Sequence, residues 1–398
     1  MLKFFWKHFP IFYMLPFIMA TTQINQIAAI GEVLRWAILV IGCAIAAKSG
    51  FRRAGHKYKI LTQADKAIIV FLLVFLISEI WTIEPWFTVQ RAISIILLYG
   101  CSFWTLWEYT DNFSEQVLIR KLLYALAIIF GINLLSNFLL PNTWLAGRFR
   151  GIFENPNNIG LILGLAIPLV LGQWLRTRQG VFLAILSLFS LNLIASGSRS
   201  PMLGIAVAMV MILISLLAKR PTQAIVMSLL AVFGLAFFIQ TDLFANNILR
   251  ESSLTTASNR TYFWELAERY IAHRPDFGHG FGTDALIHEH YGIVLKDLKL
   301  RGYGVMSSYY GLAVQIGWPF TYCFFGLLWG FVVYSCVKYW RNYELVTLVA
   351  SLACGLIICI FEPAIYSAGN TFSFLFWMIA MLAIRRSCYQ RWEFLFWV

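Results

Sequence analysis

Long apolar runs separated by short polar turns organise this chain from its first residues to its last. A helix needs about 20 apolar residues to cross a hydrocarbon core. Runs near that length fall at 4–20, 27–47, 67–82, 93–108, 121–140 and 157–175. Six more follow at 181–197, 201–218, 223–240, 309–334, 345–361 and 371–385. The pattern predicts an all-α polytopic membrane protein of about twelve spans, forming a single multispan domain over 1–398. No small-residue cleavage site follows the first run, so it is expected to stay as a span. The spacing breaks once, at 241–308, where a long polar loop is expected to carry function. Inside that loop, Tyr262 to Ile271 has the period of an amphipathic helix, with Ser258 or Asn259 placed to cap it.

Composition agrees with lipid as the main solvent. Of 398 residues, 60% are hydrophobic and only 13% charged, where a soluble surface needs roughly a quarter. Aromatics at 17% fit belts of Trp and Tyr at the two interfaces, and the tail from Trp392 to Trp397 is expected at one of them. The net charge of +12 does not imply nucleic acid, because the basic residues punctuate apolar runs and form no single face. Seven cysteines lie in spans or in turns on the basic side, without CxxC or metal-ligand spacing, which indicates neither a disulfide framework nor a zinc site.

The basic turns set the orientation. Lys48, Arg52, Arg53, Lys57 and Lys59 fall on one side of a twelve-span chain, together with Arg120, Lys121, Arg176 and Arg178. Lys219, Arg220, Lys338, Arg341, Arg385, Arg386 and Arg391 fall there too. That side is the cytoplasm, and both termini share it. The opposite side receives 83–92, 141–156, the junction at 197–201, the 241–308 loop and the turn 362–370.

Basic residues should avoid the outer side, yet Arg148, Arg150, Arg199 and Arg260 are found there. A charge near hydrocarbon costs several kcal/mol unless solvated or paired. Guanidinium forks hold phosphate bidentately, so several converging at the outer surface suit a lipid-linked diphosphate. Arginines that snorkel to headgroups or satisfy loop carbonyls fit the sequence as well. Glu32 and Arg35, three apart in a span, are expected to pair. Glu79 and Glu362, near outer ends of spans, are expected to reach water. Gly278-x-Gly280-x-Gly282 follows a proline turn and no strand, so it is read as flexible backbone near a ligand and not as a dinucleotide fingerprint.

Several segments from residue 148 onward resemble the O-antigen ligase and Wzy-type O-antigen polymerase superfamily. They are Arg148-x-x-Gly151 with Pro156-Asn157, Ser198-Arg199 with Leu203, and Asn259-Arg260-x-x-x-Trp264. Pro275-x-x-Gly278-x-Gly280-x-Gly282 and Tyr309 with Gly317 continue the series. The resemblance implies a GT-C-like, metal-independent inverting glycosyltransferase without a cofactor, in the bacterial inner membrane. Its donor would be an undecaprenyl-diphosphate-linked oligosaccharide and its acceptor a glycan or lipid. Arg199 and Arg260 match the arginines that bind the leaving diphosphate, and Arg148, Arg150, Asn157 and Tyr309 are expected to bind substrate.

The sequence departs from the family at one place. The usual histidine, eleven residues before Gly317, is Met306, which neither takes nor donates a proton. Either transfer proceeds without a base, or another group serves, with His279, His288, His290 and Tyr303 as nearby candidates. His288 and His290 are equally a hydrated loop pair, and two ligands make a poor metal site. A membrane transporter, or an inactive member of the superfamily, stands as the alternative function. Few ionisable groups fall at mid-membrane, which favours the enzyme over a coupled transporter.

Overall fold

The computed structural model describes residues 2–52, 63–229, 240, 260–292 and 304–393, and there the chain is helical almost throughout. Helix α1 spans Leu2–Met19, α2 Asn25–Arg52, α3 Gln63–Ile77 and α4 Pro85–Phe113. Then come α5 (Glu115–Leu139), α6 (Pro156–Thr177), α7 (Gly180–Ser196) and α8 (Arg199–Leu217). The remaining long helices are α9 (Arg260–His273), α10 (Ser308–Tyr339), α11 (Tyr343–Phe361) and α12 (Thr371–Glu393). A small hairpin pairs Trp144–Leu145 with Arg148–Phe149.

Each apolar run of the sequence meets a helix. The run at 223–240 is helical over 221–229 and otherwise lies outside the described residues. So do much of the 241–308 loop, both capping candidates Ser258 and Asn259, Tyr303, the basic residues at 53–59 and the end of the aromatic tail. Six helices (α2, α5, α6, α8, α10 and α11) are long and apolar enough to cross a membrane. The protein is therefore an all-α membrane protein.

Helices α6 and α11 form the centre, with 89% and 83% of their apolar windows buried inside the protein. Lipid is as apolar as leucine, so tight packing and hydrogen bonds hold such helices together. Small residues make the approach close. A Cβ on Gly204 of α8 would meet Cys354 of α11, and one on Gly172 of α6 would meet Thr347. Ser351 of α11 donates its hydroxyl to the Leu165 carbonyl of α6 at 2.5 Å.

The polar turns sort to the two ends of the bundle. At one end Arg386 of α12 bonds Glu115 of α5 and Glu344 of α11, and Arg176 of α6 lies 3.6 Å from Glu344. The other end collects the hairpin, the α7–α8 junction, α9 and the turn after α11.

Helix α9 contains the amphipathic segment expected at Tyr262–Ile271. It buries Phe263, Leu266, Ala267, Tyr270 and Ile271, the spacing of one helical face. Leu266, Ala267, Tyr270 and Ile271 join Ile287, Val305, Ala313 and Val314 in a small core apart from the main one.

One expectation is corrected here. Arg35 donates to the Gly369 carbonyl at 3.2 Å, and Glu32 acts on it only through space. The glycines at 278–282 pack against a break in α10. Pro319 has no amide for the Gln315 carbonyl, and Gly317 adopts φ +80°. The Trp318 amide consequently turns to Pro275 O at 2.8 Å. The freed Val314 and Gln315 carbonyls accept from the His279 and Gly280 amides at 2.9 and 2.8 Å, and Gln315 Oε1 from Gly282 N at 2.7 Å. A Cβ on Gly278 would strike the Gln315 backbone. Glycine is what lets the loop lie against the broken helix.

Candidate functional site

The first residues of four helices meet at the end opposite the Arg386 cluster. Asn155 caps α6 by accepting from the Asn157 amide at 2.9 Å, with Pro156 at the first turn. This start aims the Asn157 side chain away from the helix. Gly197, in the left-handed conformation at φ +57°, ends α7 and turns the chain straight into Ser198 and α8. Gly160 leaves α6 room beside Ser198 and Pro201.

Arg148 projects from the hairpin into this junction. It donates to Asn157 Oδ1 at 2.6 Å, to Ser196 O at 2.7 Å and to Ser198 Oγ at 3.2 Å. The hairpin loop itself is pinned by the Ile152 amide bonding Asn133 Oδ1 at 2.7 Å and the Gln23 amide bonding Ile152 O at 2.9 Å.

Glu362, the residue just past α11, is the hub. Its Oε1 accepts from Arg260 Nη2 at 2.5 Å and from Asn157 Nδ2 at 3.2 Å. Arg260 also donates from Nε to Phe361 O at 2.9 Å. Ser308, opening α10, donates to Glu362 O at 2.7 Å and accepts from the Ala364 amide at 3.0 Å, which fixes the turn. The expectation that Glu362 simply reaches water is thereby corrected. Its side chain is 15% exposed and that of Arg260 18%. Burial pushes the Glu362 carboxyl above the usual carboxylate range, against the opposing pull of Arg260 and Arg148.

Arg199 begins α8, half-buried, and Arg260 lies close enough to repel it electrostatically. Trp264, one turn along from Arg260, donates to Met306 O at 3.4 Å and stacks on Tyr310 at 5.8 Å between centroids. Met306 itself sits at φ +43°, a strained conformation for its side chain, just before the Ser307 cap of α10. Arg148 and Arg260 thus act on the Glu362 carboxylate, and Arg199 lies near Arg260, beside helix N-termini whose dipoles add positive potential. Such a site suits a multiply charged anion.

A family model described as O-antigen ligase matches residues 182–325. Over those residues the chain is similar to the O-antigen ligases. Among curated proteins, none matches it. The O-antigen ligase match covers Arg199, Arg260, the loop histidines and Tyr309, whereas Arg148, Asn157 and Glu362 lie outside it and complete the cluster in space.

The other expected site residues lie apart from this cluster. Arg150 donates to the loop carbonyls of Asn142 and Glu154 at 2.9 and 3.2 Å. Tyr309 points into the bundle, where it donates to Leu356 O at 3.3 Å, accepts from Trp329 at 2.8 Å and stacks on Phe325 at 3.6 Å. His279 is buried, its Nδ1 3.1 Å from Val314 O and its Nε2 2.8 Å from Tyr291 Oη. Burial lowers its pKa to about 4. His288 Nδ1 pairs with Tyr270 Oη at 2.8 Å in the small core, and His290 is exposed beside Tyr291. No group of three metal-ligating side chains occurs among the described residues.

Glu362 and Ser308 are the members that reasoning from sequence missed. A carboxylate at the outer end of a span, on the side where the candidate arginines gather, was the available signal for the first.

Proposed function

We propose that the protein is a glycan polymerase or ligase that transfers a saccharide chain from an undecaprenyl-diphosphate-linked donor. The observation that carries this is the convergence of Arg148 and Arg260 on Glu362, with Arg199 beside Arg260, from three separate segments at one end of the bundle. Breaking the anomeric C–O bond develops negative charge on the diphosphate. Fixed guanidiniums beside it stabilise that charge more in the transition state than before it. Arg199 and Arg260 hold the diphosphate in this reading, Arg148 and Asn157 shape its edge, and the transfer inverts the anomeric centre without a metal.

The twelve-span topology goes with it: a GT-C-like bundle in the cytoplasmic membrane, both termini inside, and the 241–308 loop outside. The sorting of polar turns to two ends supports this arrangement. A catalytically inactive member would bind the donor and make no product.

The test is synthesis of surface glycan in cells whose only copy is a variant. Arg199→Ala and Arg260→Ala are each expected to lose product about 100- to 1000-fold, the usual effect of removing one transition-state donor. Lysine should restore only part, because a point charge lacks the planar fork. Near-normal product from either alanine variant at matched protein levels would refute the diphosphate clamp.

A further inference from the structure

Transfer to a hydroxyl requires that hydroxyl to lose a proton, and the arginine cluster contains one residue able to take it. We infer that Glu362 is a catalytic residue, the general base that accepts the proton of the acceptor hydroxyl through Oε2. The inference rests on the glycosyl-transfer reading above and assigns that site its second chemical role.

The geometry separates the two carboxylate oxygens. Both hydrogen bonds, from Arg260 and Asn157, fall on Oε1. Among the described residues no donor is bonded to Oε2, and the side chain keeps 15% of its surface exposed. One oxygen is therefore held and the other is open to a ligand. The backbone of Glu362 is locked by Ser308 Oγ, and the same hydroxyl accepts the Ala364 and Ile365 amides at 3.0 and 3.4 Å. A base must hold its position to within fractions of an ångström, and this turn supplies that.

The other acids and bases nearby are engaged or distant from the cluster. Both His279 nitrogens face partners, and His288 is paired with Tyr270. Asp284 is buried and accepts from Tyr366 Oη at 3.0 Å. Charged groups act on Glu362 from two elements: Arg260 from α9 and Arg148 from the hairpin. Their pull is outweighed by burial, which leaves the carboxylate more basic than a solvated one and so a better proton acceptor near neutral pH.

The step balances. The acceptor hydroxyl gives its proton to Oε2 while its oxygen bonds the anomeric carbon. The bond from that carbon to the diphosphate oxygen breaks with its electron pair, and the diphosphate leaves beside Arg199 and Arg260. Glu362 then returns the proton to water.

The experiment uses the full chain in lipid nanodiscs and in cells, with undecaprenyl diphosphate as the binding probe and surface glycan as the product. Glu362→Gln keeps the shape and the Asn157 contact and removes the basicity. It should lower product at least 100-fold, within the usual range for acid–base catalysis, while binding undecaprenyl diphosphate as tightly as wild type or more so. Glu362→Asp should retain part of the activity, and external formate should restore product to Glu362→Ala. Product from Glu362→Gln within tenfold of wild type overturns the base. So does loss of probe binding in Glu362→Gln when wild type binds, since Glu362 would then only position Arg260. Failure of wild type to bind the probe instead sinks the donor reading itself, and the base with it.

Discussion

The two ends of the bundle each hold a cluster of arginines and glutamates, and their charge balance differs. At the Arg386 end, Arg386 and Arg176 face Glu115 and Glu344. Every cation has a carboxylate, and the four groups tie α5, α6, α11 and α12 together. At the Arg260 end, among the described residues, Arg148 and Arg260 act on Glu362, and Arg199 lies near Arg260. A cluster of matched pairs ties helices together. A cation-rich one, at helix N-termini, favours an anion. The comparison teaches that arginine near a membrane is informative through where it converges, and not through its presence.

The largest effect expected from this contrast is on stability at the balanced end. Arg386→Ala leaves the partly buried Glu115 without its cation and Glu344 with Arg176 alone, which costs roughly 3–5 kcal/mol when such a buried pair is broken. Thermal unfolding in detergent and the amount of protein in membranes should both fall. Glycan made per folded molecule should stay near wild type. A variant that is stable yet inactive would break the distinction between the ends.

Arg260→Ala should do the converse, with a loss of product of about 100- to 1000-fold and little change in membrane level. Replacing the balanced cluster by apolar side chains sharpens the point. A combined Arg386→Met, Glu115→Leu, Glu344→Leu variant is expected to keep its glycan output, because well-packed hydrophobic groups can substitute for a buried ion cluster at about neutral cost. No apolar set at the Arg260 end should do so.

A smaller effect concerns the loop that packs beside the cation-rich end. His279 is held with its pKa lowered to about 4, below the unfolded value of roughly 6.5. The unfolded chain then binds the extra proton between those values, so stability is full above about pH 6.5 and is lost as pH falls toward 4. Thermal midpoints measured across that window should decline in wild type more than in His279→Gln. Equal slopes would remove His279 as the cause.

The smallest effect is assigned to Arg150, two residues from Arg148 and on the same strand side of the sequence motif. Its contacts are loop carbonyls, so Arg150→Ala should cost no more than about 1 kcal/mol and leave glycan output within a fewfold of normal. Loss comparable to that of Arg260→Ala would place Arg150 in the binding site after all.

The apolar runs were legible because the bilayer imposes length and composition on any helix that crosses it. Each described span falls where its run does, and α9 appears where a period of 3.6 replaced uniform hydrophobicity. The candidate arginines were legible for a related reason, since charge at a span end is costly enough to need an explanation. Other features had no local signature. Helices α6 and α2 are alike in hydropathy, 1.8 and 1.9, yet 89% of one window and 17% of the other are buried. Lipid and protein interiors are equally apolar, so composition cannot tell which helix is central. The role of Gly278-x-Gly280-x-Gly282 depended on carbonyls freed by Gly317 and Pro319 some forty residues later. Arg148 and Arg150 look equivalent in the chain, and only the neighbours folded around them separate the guanidinium at the α7–α8 junction from a loop clasp. Glu362 lies about a hundred residues from Arg260, and more than two hundred from Asn157 and Arg148. Sequence determined which residues could not be left in lipid alone, because that cost is local. Tertiary structure decided which of them meet, because a shared carboxylate depends on where helix ends arrive in space.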